Sequence, residues 1–181
     1  MEFQKTITLV DGRKCILRNA RLEDAEALIE YLKVTAKETP FLVKEPEEIT
    51  LTIEQEKEFI QARMDDKKEL LLIGEIDGEH VGNCSVMAVN SMSRYRHRCS
   101  LGIALYQKYC GLGIGKQMFQ TILEVAKECG YEVAELEVVT TNKNAVHMYE
   151  SFGFEIYGTQ KHNMKYKDGS YADVYMMMKE L

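Results

Sequence analysis

Three glycines at alternate positions, Gly111, Gly113 and Gly115, are followed by Lys116, between an apolar run that ends at Leu105 and an amphipathic run that starts at Gln117. Glycine lets backbone approach a ligand closely, and the first amides of a helix, at the positive end of its dipole, form a ready anion site. The chemistry suited to this stretch is recognition of a phosphate or pyrophosphate. A Walker loop fails at two positions: Cys110 stands where the first glycine belongs, and Gln117 replaces the magnesium-binding hydroxyl. A dinucleotide fingerprint keeps Gly111 and Gly113 but meets Lys116 at the third glycine, with Glu135 or Glu137 at the right distance for a ribose. It would also require a repeating βαβ array from the start of the chain.

The elements needed to position this loop can be read from periodicity. Asp11-Gly12, Asp77-Gly78 and Asp168-Gly169 each separate apolar or β-branched runs, a strong hairpin signal. The flanks are Ile7 to Val10 with Cys15 to Arg18, Leu70 to Ile76 with His80 to Val89, and Asn163 to Tyr166 with Ala172 to Met178. Within the last, Met176, Met177 and Met178 read as buried strand. Helices are expected over Leu22 to Val34 and from Thr52, which has capping-box spacing to Gln55 and an imperfect apolar stripe of Ile53, Phe59, Ile60 and Met64. The stretch Thr35 to Thr50 holds both prolines and the acids Glu45, Glu47 and Glu48, and reads as a loop able to close over a substrate. In the second half, strand Cys99 to Leu105, helix Gln117 to Cys129 and strand Val133 to Val139 imply a right-handed crossover between two parallel strands. A short helix over Asn144 to Ser151, ended by Gly153, leads to a strand at Phe154 to Tyr157.

The glycine loop reads Cys110-Gly111-Leu112-Gly113-Ile114-Gly115, and a second block runs Asn142-Lys143-Asn144-Ala145-Val146-His147-Met148-Tyr149-Glu150-Ser151-Phe152-Gly153-Phe154. Together these resemble the GNAT superfamily of acyl-CoA-dependent N-acetyltransferases, whose signatures are Gln/Arg-x-x-Gly-x-Gly/Ala and Asn-x-x-Ala-x-x-x-Tyr-x-x-x-Gly-Phe. Cys110 departs from the usual first residue, so the loop would act through backbone donors. With Leu17-Arg18 ahead of Glu23-Asp24-Ala25, the resemblance extends over nearly the whole chain and is weakest in Thr35 to Lys68.

The resemblance implies one α+β domain over residues 1 to 181. Its sheet would be mixed and strongly twisted, antiparallel at both ends around a central parallel pair and flanked by about four helices. Acetyl-CoA would be the co-substrate and a primary amine of a small molecule or peptide the acceptor, attacked directly in a ternary complex. The pantetheine arm would pair with the backbone of Ile103, Ala104 and Leu105. Pyrophosphate would rest on the amides of Cys110, Gly111, Leu112, Gly113, Ile114, Gly115 and Lys116. Asn142 would bond a pantetheine amide and cap the following helix, and Tyr149 would be the general acid for the departing sulfur. Many members carry a general-base glutamate on the fourth strand, but Cys99-Ser100-Leu101-Gly102 has no acid there. Glu137, His97 and His162 are open candidates, and the acceptor's identity is open too. A protein that binds acyl-CoA without turning it over is the alternative class, and the dinucleotide oxidoreductase a more distant one.

Composition narrows the field. A formal charge of −6 argues against nucleic acid, because phosphate backbones require an excess of Lys and Arg; the cluster Arg94, Arg96, His97, Arg98 is the local exception. That cluster reads as a solvated loop or a contact to a cofactor phosphate. Five scattered cysteines and four histidines show no ligand spacing, so no metal is expected and a reducing cytoplasm is the simplest compartment. No run is long and apolar enough for a signal peptide or a bilayer span, so no membrane partner is expected, whereas a homodimer stays open.

Overall fold

Asp77 and Gly78 both adopt positive φ, 52° and 82°, and join two strands through a two-residue turn whose twist matches that of the strands it connects. This hairpin, β3 (Leu70–Ile76) and β4 (Glu79–Ala88), occupies the middle of a sheet whose other members are added on either side. The computed structural model describes residues 2–181. Before β3 come β1 (Gln4–Thr8), β2 (Lys14–Asn19), α1 (Ala25–Glu38) and α2 (Ile53–Asp65). After β4 come β5 (Arg98–Leu105), α3 (Ile114–Glu128), β6 (Val133–Val139), α4 (Lys143–Ser151), β7 (Glu155–Lys165) and β8 (Tyr171–Glu180). The strand order is β1-β2-β3-β4-β5-β6-β8-β7, and β5 with β6 is its one parallel step among the described residues. This is the α+β sheet expected, with four helices.

The two faces are covered differently. On one, α3 lays Ile114, Met118, Phe119, Ile122, Val125 and Ala126, each no more than 1% exposed, across Leu72, Val86, Cys99 and Leu101. Their spacing follows one side of a 3.6-residue helix. On the other, α1 and α2 bury Leu28 and Ile60 against Leu71 and Ile73. β3 is therefore covered on both sides, and its first four residues, Leu70 to Ile73, form an unbroken apolar run.

Several boundaries differ from the sequence reading. α1 continues to Glu38, absorbing the first residues of the expected loop. α3 starts at Ile114, three residues early, because Gly113 at φ 78° serves as its N-cap and Gln117 N–H already bonds the Gly113 carbonyl at 3.3 Å. Ile114, Gly115 and Lys116 are thus its first turn and not loop. The two short strands expected near residues 154 and 163 are parts of one strand, β7, interrupted by an irregularity where His162 takes φ 54° and gives its N–H to Asp173 Oδ1. Of the three methionines in β8, only Met177 is fully buried; Met176 and Met178 face the other side and are half-buried.

β4 and β5 approach so closely at Gly82 that a Cβ there would lie 2.6 Å from the Ala104 carbonyl oxygen and 2.8 Å from Leu105 Cα. Backbone cannot give way as a flexible side chain can. Gly82→Ala is expected to lose about 1–3 kcal/mol of stability, read as a lower melting temperature. Gly158→Ala, whose Cβ would sit 3.6 Å from Met176 Sδ, should be close to neutral.

Candidate functional site

β5 and β6 are paired only from Arg98 to Ser100 and from Val133 to Glu135; beyond that they separate. Each keeps its outer neighbour, β5 pairing with β4 up to Leu105 and β6 with β8 up to Val139. Backbone direction on the gap side follows from the alternation of an antiparallel ladder. Tyr106 N–H donates to the Val81 carbonyl at 3.1 Å, toward β4, so the N–H and C=O of Leu105 and Ile103 point the other way. His97, in the same phase, gives its carbonyl to Val133 N–H at 3.1 Å across to β6. Past Ser100 that phase has no strand opposite it, leaving an open hydrogen-bonding edge.

The glycine loop closes the mouth of this gap. Its entry is anchored by Tyr109, whose hydroxyl donates to Glu79 Oε2 at 2.6 Å, and by Gln107 N–H, which donates to Glu38 Oε2 at 2.8 Å. Gly111 and Gly113 both have φ near +80°, a conformation other residues adopt only with strain. Gly113 brings no side chain to cap α3, so the amides of its first turn are open to an anion. Gly115 fits because a Cβ would press on Leu105 Cδ1 at 3.0 Å. Ile114 is fully buried and Leu112 half-buried against the core, so each can offer a ligand only backbone; Cys110 is exposed and its thiol points back to the Tyr106 carbonyl.

Residues 27–154 match the model of the acetyltransferase (GNAT) family. The chain belongs to that family. It is 30% identical over 109 residues to L-amino acid N-acetyltransferase AaaT of Escherichia coli, an alignment covering 59% of this chain and 65% of AaaT, just under two thirds of that relative's length. Among solved structures, a GNAT acetyltransferase from Streptococcus pneumoniae superposes with a TM-score of 0.88 at 28% identity, covering 92% of this chain and 99% of that one. The yncA protein of Salmonella typhimurium, solved with acetyl-CoA, superposes with a TM-score of 0.81 at 19% identity, covering 91% of this chain and 92% of that one. The dinucleotide alternative has no counterpart in a sheet with a single parallel step.

In this GNAT chain α4 stands on the α3 face of the sheet, with its first residue at the C-terminal end of β6. Asn142 caps it: Oδ1 accepts from Ala145 N–H at 3.4 Å, which leaves the side-chain NH2 group free to donate elsewhere. Tyr149 is 8% exposed, its ring 4.9 Å from Phe119 and 6.2 Å from Phe154; Phe152 packs at a tilt against Phe119, 5.2 Å away. Its hydroxyl has no hydrogen-bond partner among the described residues, and burial alone pushes its pKa up to about 12.

The other sequence candidates are dispersed. His97 and Arg98 lie at the paired end of β5, away from the glycine loop, and Arg98 forks onto Glu135, one arm at 2.8 Å. The basic cluster therefore lies away from the glycine loop. Glu137 is an exposed residue on β6, and His162 is stacked on Tyr171 at 4.6 Å on the edge hairpin. No cluster of three His, Cys, Asp or Glu side chains able to hold a metal occurs among the described residues.

On the face opposite α3 and α4, a cavity of about 390 Å3 lies between α1, α2 and strands β3 to β5. Its floor is made of small residues, Ser85, Gly102 and Ala104, and Gly102 to Ala104 belong to the same stretch of β5 that borders the gap. Tyr31 of α1 lines it and donates from its hydroxyl to the Ala104 carbonyl at 2.8 Å. Sequence reasoning passed over Tyr31 and Glu56, both of which line this cavity. Of the stripe expected on α2, Ile60 is buried at 1% and Phe59 packs beside it, whereas Ile53 and Met64 are 39% and 40% exposed and Glu56 takes an inward position at 5%. A glutamate one turn before a buried isoleucine was the available signal.

The acidic stretch between α1 and α2 covers the outer end of this cavity and docks on the β7–β8 hairpin. Tyr166 donates from its hydroxyl to the Pro40 carbonyl at 3.0 Å, and Lys167 pairs with Glu47 at 2.9 Å and Glu45 at 3.4 Å. Replacing Tyr166 with Phe and Lys167 with Ala together should speed amide hydrogen exchange in residues 39–51 while leaving the melting temperature nearly unchanged, since the ion pairs are exposed. Unchanged exchange would show that the loop is held by its apolar contacts alone.

Proposed function

We propose that this chain is an N-acetyltransferase that moves the acetyl group of acetyl-CoA to a primary amine of a small molecule or peptide, by direct attack in a ternary complex. The observation that carries this reading is the divergence of β5 from β6 beyond Ser100 and Glu135, with the uncapped N-terminus of α3 at its mouth. A pantetheine arm carries amide groups, and it would pair with the exposed edge of Ile103 to Leu105 as an added strand does. The pyrophosphate would lie on the amides between Gly111 and Lys116, and the free NH2 of Asn142 would meet a pantetheine carbonyl. AaaT acts on L-amino acids, and the Salmonella neighbour holds acetyl-CoA; both agree with this assignment.

In the reaction the amine attacks the thioester carbonyl, and the resulting oxyanion would be met by backbone N–H near Leu105. Tyr149 would serve the sulfur. With its pKa pushed up to about 12 the phenol is protonated throughout the neutral range. A thiol titrates near about 8.5, so proton transfer from this phenol to a free thiolate would run uphill. Its contribution therefore falls while the C–S bond is breaking, when a hydrogen bond to the sulfur stabilises the charge gathering there.

Release of the coenzyme A thiol from acetyl-CoA, followed across polyamines, aminoglycosides, amino acids and peptide N-termini, tests the reaction. Tight acetyl-CoA binding without release for any acceptor would favour a non-catalytic acyl-CoA sensor. Gly113→Glu places bulk and negative charge at the anion site and should weaken acetyl-CoA binding by more than about tenfold, or 1.4 kcal/mol. Calorimetry on a variant that still melts cooperatively reads this, and unchanged affinity would remove the loop from the site. Tyr149→Phe keeps the ring and deletes the proton: kcat should fall by about 10², with KM for acetyl-CoA and the melting temperature little changed. The wild type should show no alkaline loss of activity from this group below about pH 10–11. A Phe variant with the wild-type rate, under conditions where chemistry is limiting, would assign the proton to water.

A further inference from the structure

The cavity under α1 and α2 contains a group that the reaction above leaves unused. Glu56 is 5% exposed, lines the cavity together with Leu28, Phe59 and Leu71, and forms no hydrogen bond or ion pair among the described residues. A carboxylate partly withdrawn from water without a partner carries a cost that a cation entering the cavity would relieve. The other titratable groups in the wall do not. Tyr31, from α1, already donates to Ala104, and burial raises its pKa further above neutrality. Cys84, from β4, has its thiol pushed up by burial. Lys44, on the covering loop, is the opposite charge that acts on Glu56, yet it is exposed and stands beyond ion-pair distance.

We propose that Glu56 binds the ammonium group of the acceptor and takes its proton, which makes the cavity the seat of a primary amine carried on an apolar body. This deepens the acetyltransferase reading and rests on it. Position supports the assignment: the cavity floor at Gly102 to Ala104 is the other side of the β5 segment whose edge would hold the pantetheine arm, so an amine there lies beside the thioester. Burial raises the Glu56 pKa, outweighing Lys44, and this makes the carboxylate a stronger base toward an ammonium ion.

R–NH3+ gives one proton to the Glu56 carboxylate and becomes R–NH2. Its lone pair forms the C–N bond while the carbonyl π pair moves to oxygen. Collapse re-forms the carbonyl, and the C–S pair leaves on sulfur. The second proton of the nitrogen balances the one the sulfur gains, and Glu56 returns its proton to water. The net products are the N-acetyl amide, coenzyme A thiol and one proton.

Glu56→Gln preserves shape and removes the charge. The probe is 2-phenylethylamine, titrated calorimetrically into the protein without acetyl-CoA: wild type should bind it, and the variant should bind at least about tenfold more weakly. Glu58→Gln, at an exposed position of the same helix outside the cavity, should leave that binding intact. Equal binding by wild type and E56Q, or an equal loss of binding in E58Q, overturns the proposal. With any acceptor the wild type turns over, E56Q should lower kcat/KM by about 10² and abolish its acidic limb while acetyl-CoA affinity stays unchanged; a retained rate and pH profile also overturns it. Stability gives a readout independent of ligands. The folded-state pKa of Glu56 lies above its ordinary value of 4.5, so its unpaired charge costs nothing at low pH and an increasing amount as pH rises. E56Q should therefore melt higher than wild type at pH 8, with the difference vanishing toward pH 4.5; no difference at pH 8 would mean that the carboxylate is already satisfied. Absence of thiol release by the wild type with every amine would instead refute the acetyltransferase reading, and the calorimetric comparison would still decide on Glu56.

Discussion

Everything in the site follows from two neighbouring strands that stop pairing halfway. A parallel ladder left open inside a sheet strands backbone donors and acceptors, a cost that proteins otherwise avoid. Here the opening is enforced from outside: β5 stays on β4 through Leu105 and β6 stays on β8 through Val139, so neither strand can bend back to meet the other. Gly82 lets β4 press against Ala104 and Leu105, Gly115 lets α3 press against Leu105 from the far side, and the Tyr31 hydroxyl holds the Ala104 carbonyl. The end of β5 is thus clamped by three elements, and its free edge is presented in a fixed geometry.

The same clamp divides the labour between the two faces. α3 and α4, on one face, carry the uncapped first turn of α3, Asn142 and Tyr149, the groups proposed to meet the coenzyme; α1 and α2, on the other, enclose the cavity that Glu56 lines. Only β5 borders both. A ligand lying along its edge and a second ligand standing on its floor would therefore meet around one segment, which is the requirement for direct transfer without a covalent enzyme intermediate.

What was legible in the sequence was the part written in local rules. Asp77-Gly78 could be read because a two-residue turn needs positive φ at both positions, and Thr52 with Gln55 because the capping box has fixed spacing; its two bonds are 3.2 and 3.0 Å. The glycine loop and the Asn142 to Phe154 block were legible because positive φ and a helix cap each demand particular residue types. The start of α3 was misplaced because a glycine N-cap, unlike Ser, Thr or Asp, carries no side-chain signal.

The acceptor side was not legible, for a different physical reason. Helix α2 is amphipathic only weakly, and its inward face is interrupted by a carboxylate, so apolar periodicity takes in Ile53 and Met64, 39% and 40% exposed, beside the inward Phe59 and Ile60. A binding face must break the rule that inward positions are apolar, because a pocket that recognises charge has to bury charge. Periodicity averages such a break away as noise. Glu56 becomes visible only when the sheet beneath α2 shows that the position lines a cavity, and when no hydrogen bond or ion pair among the described residues answers its charge.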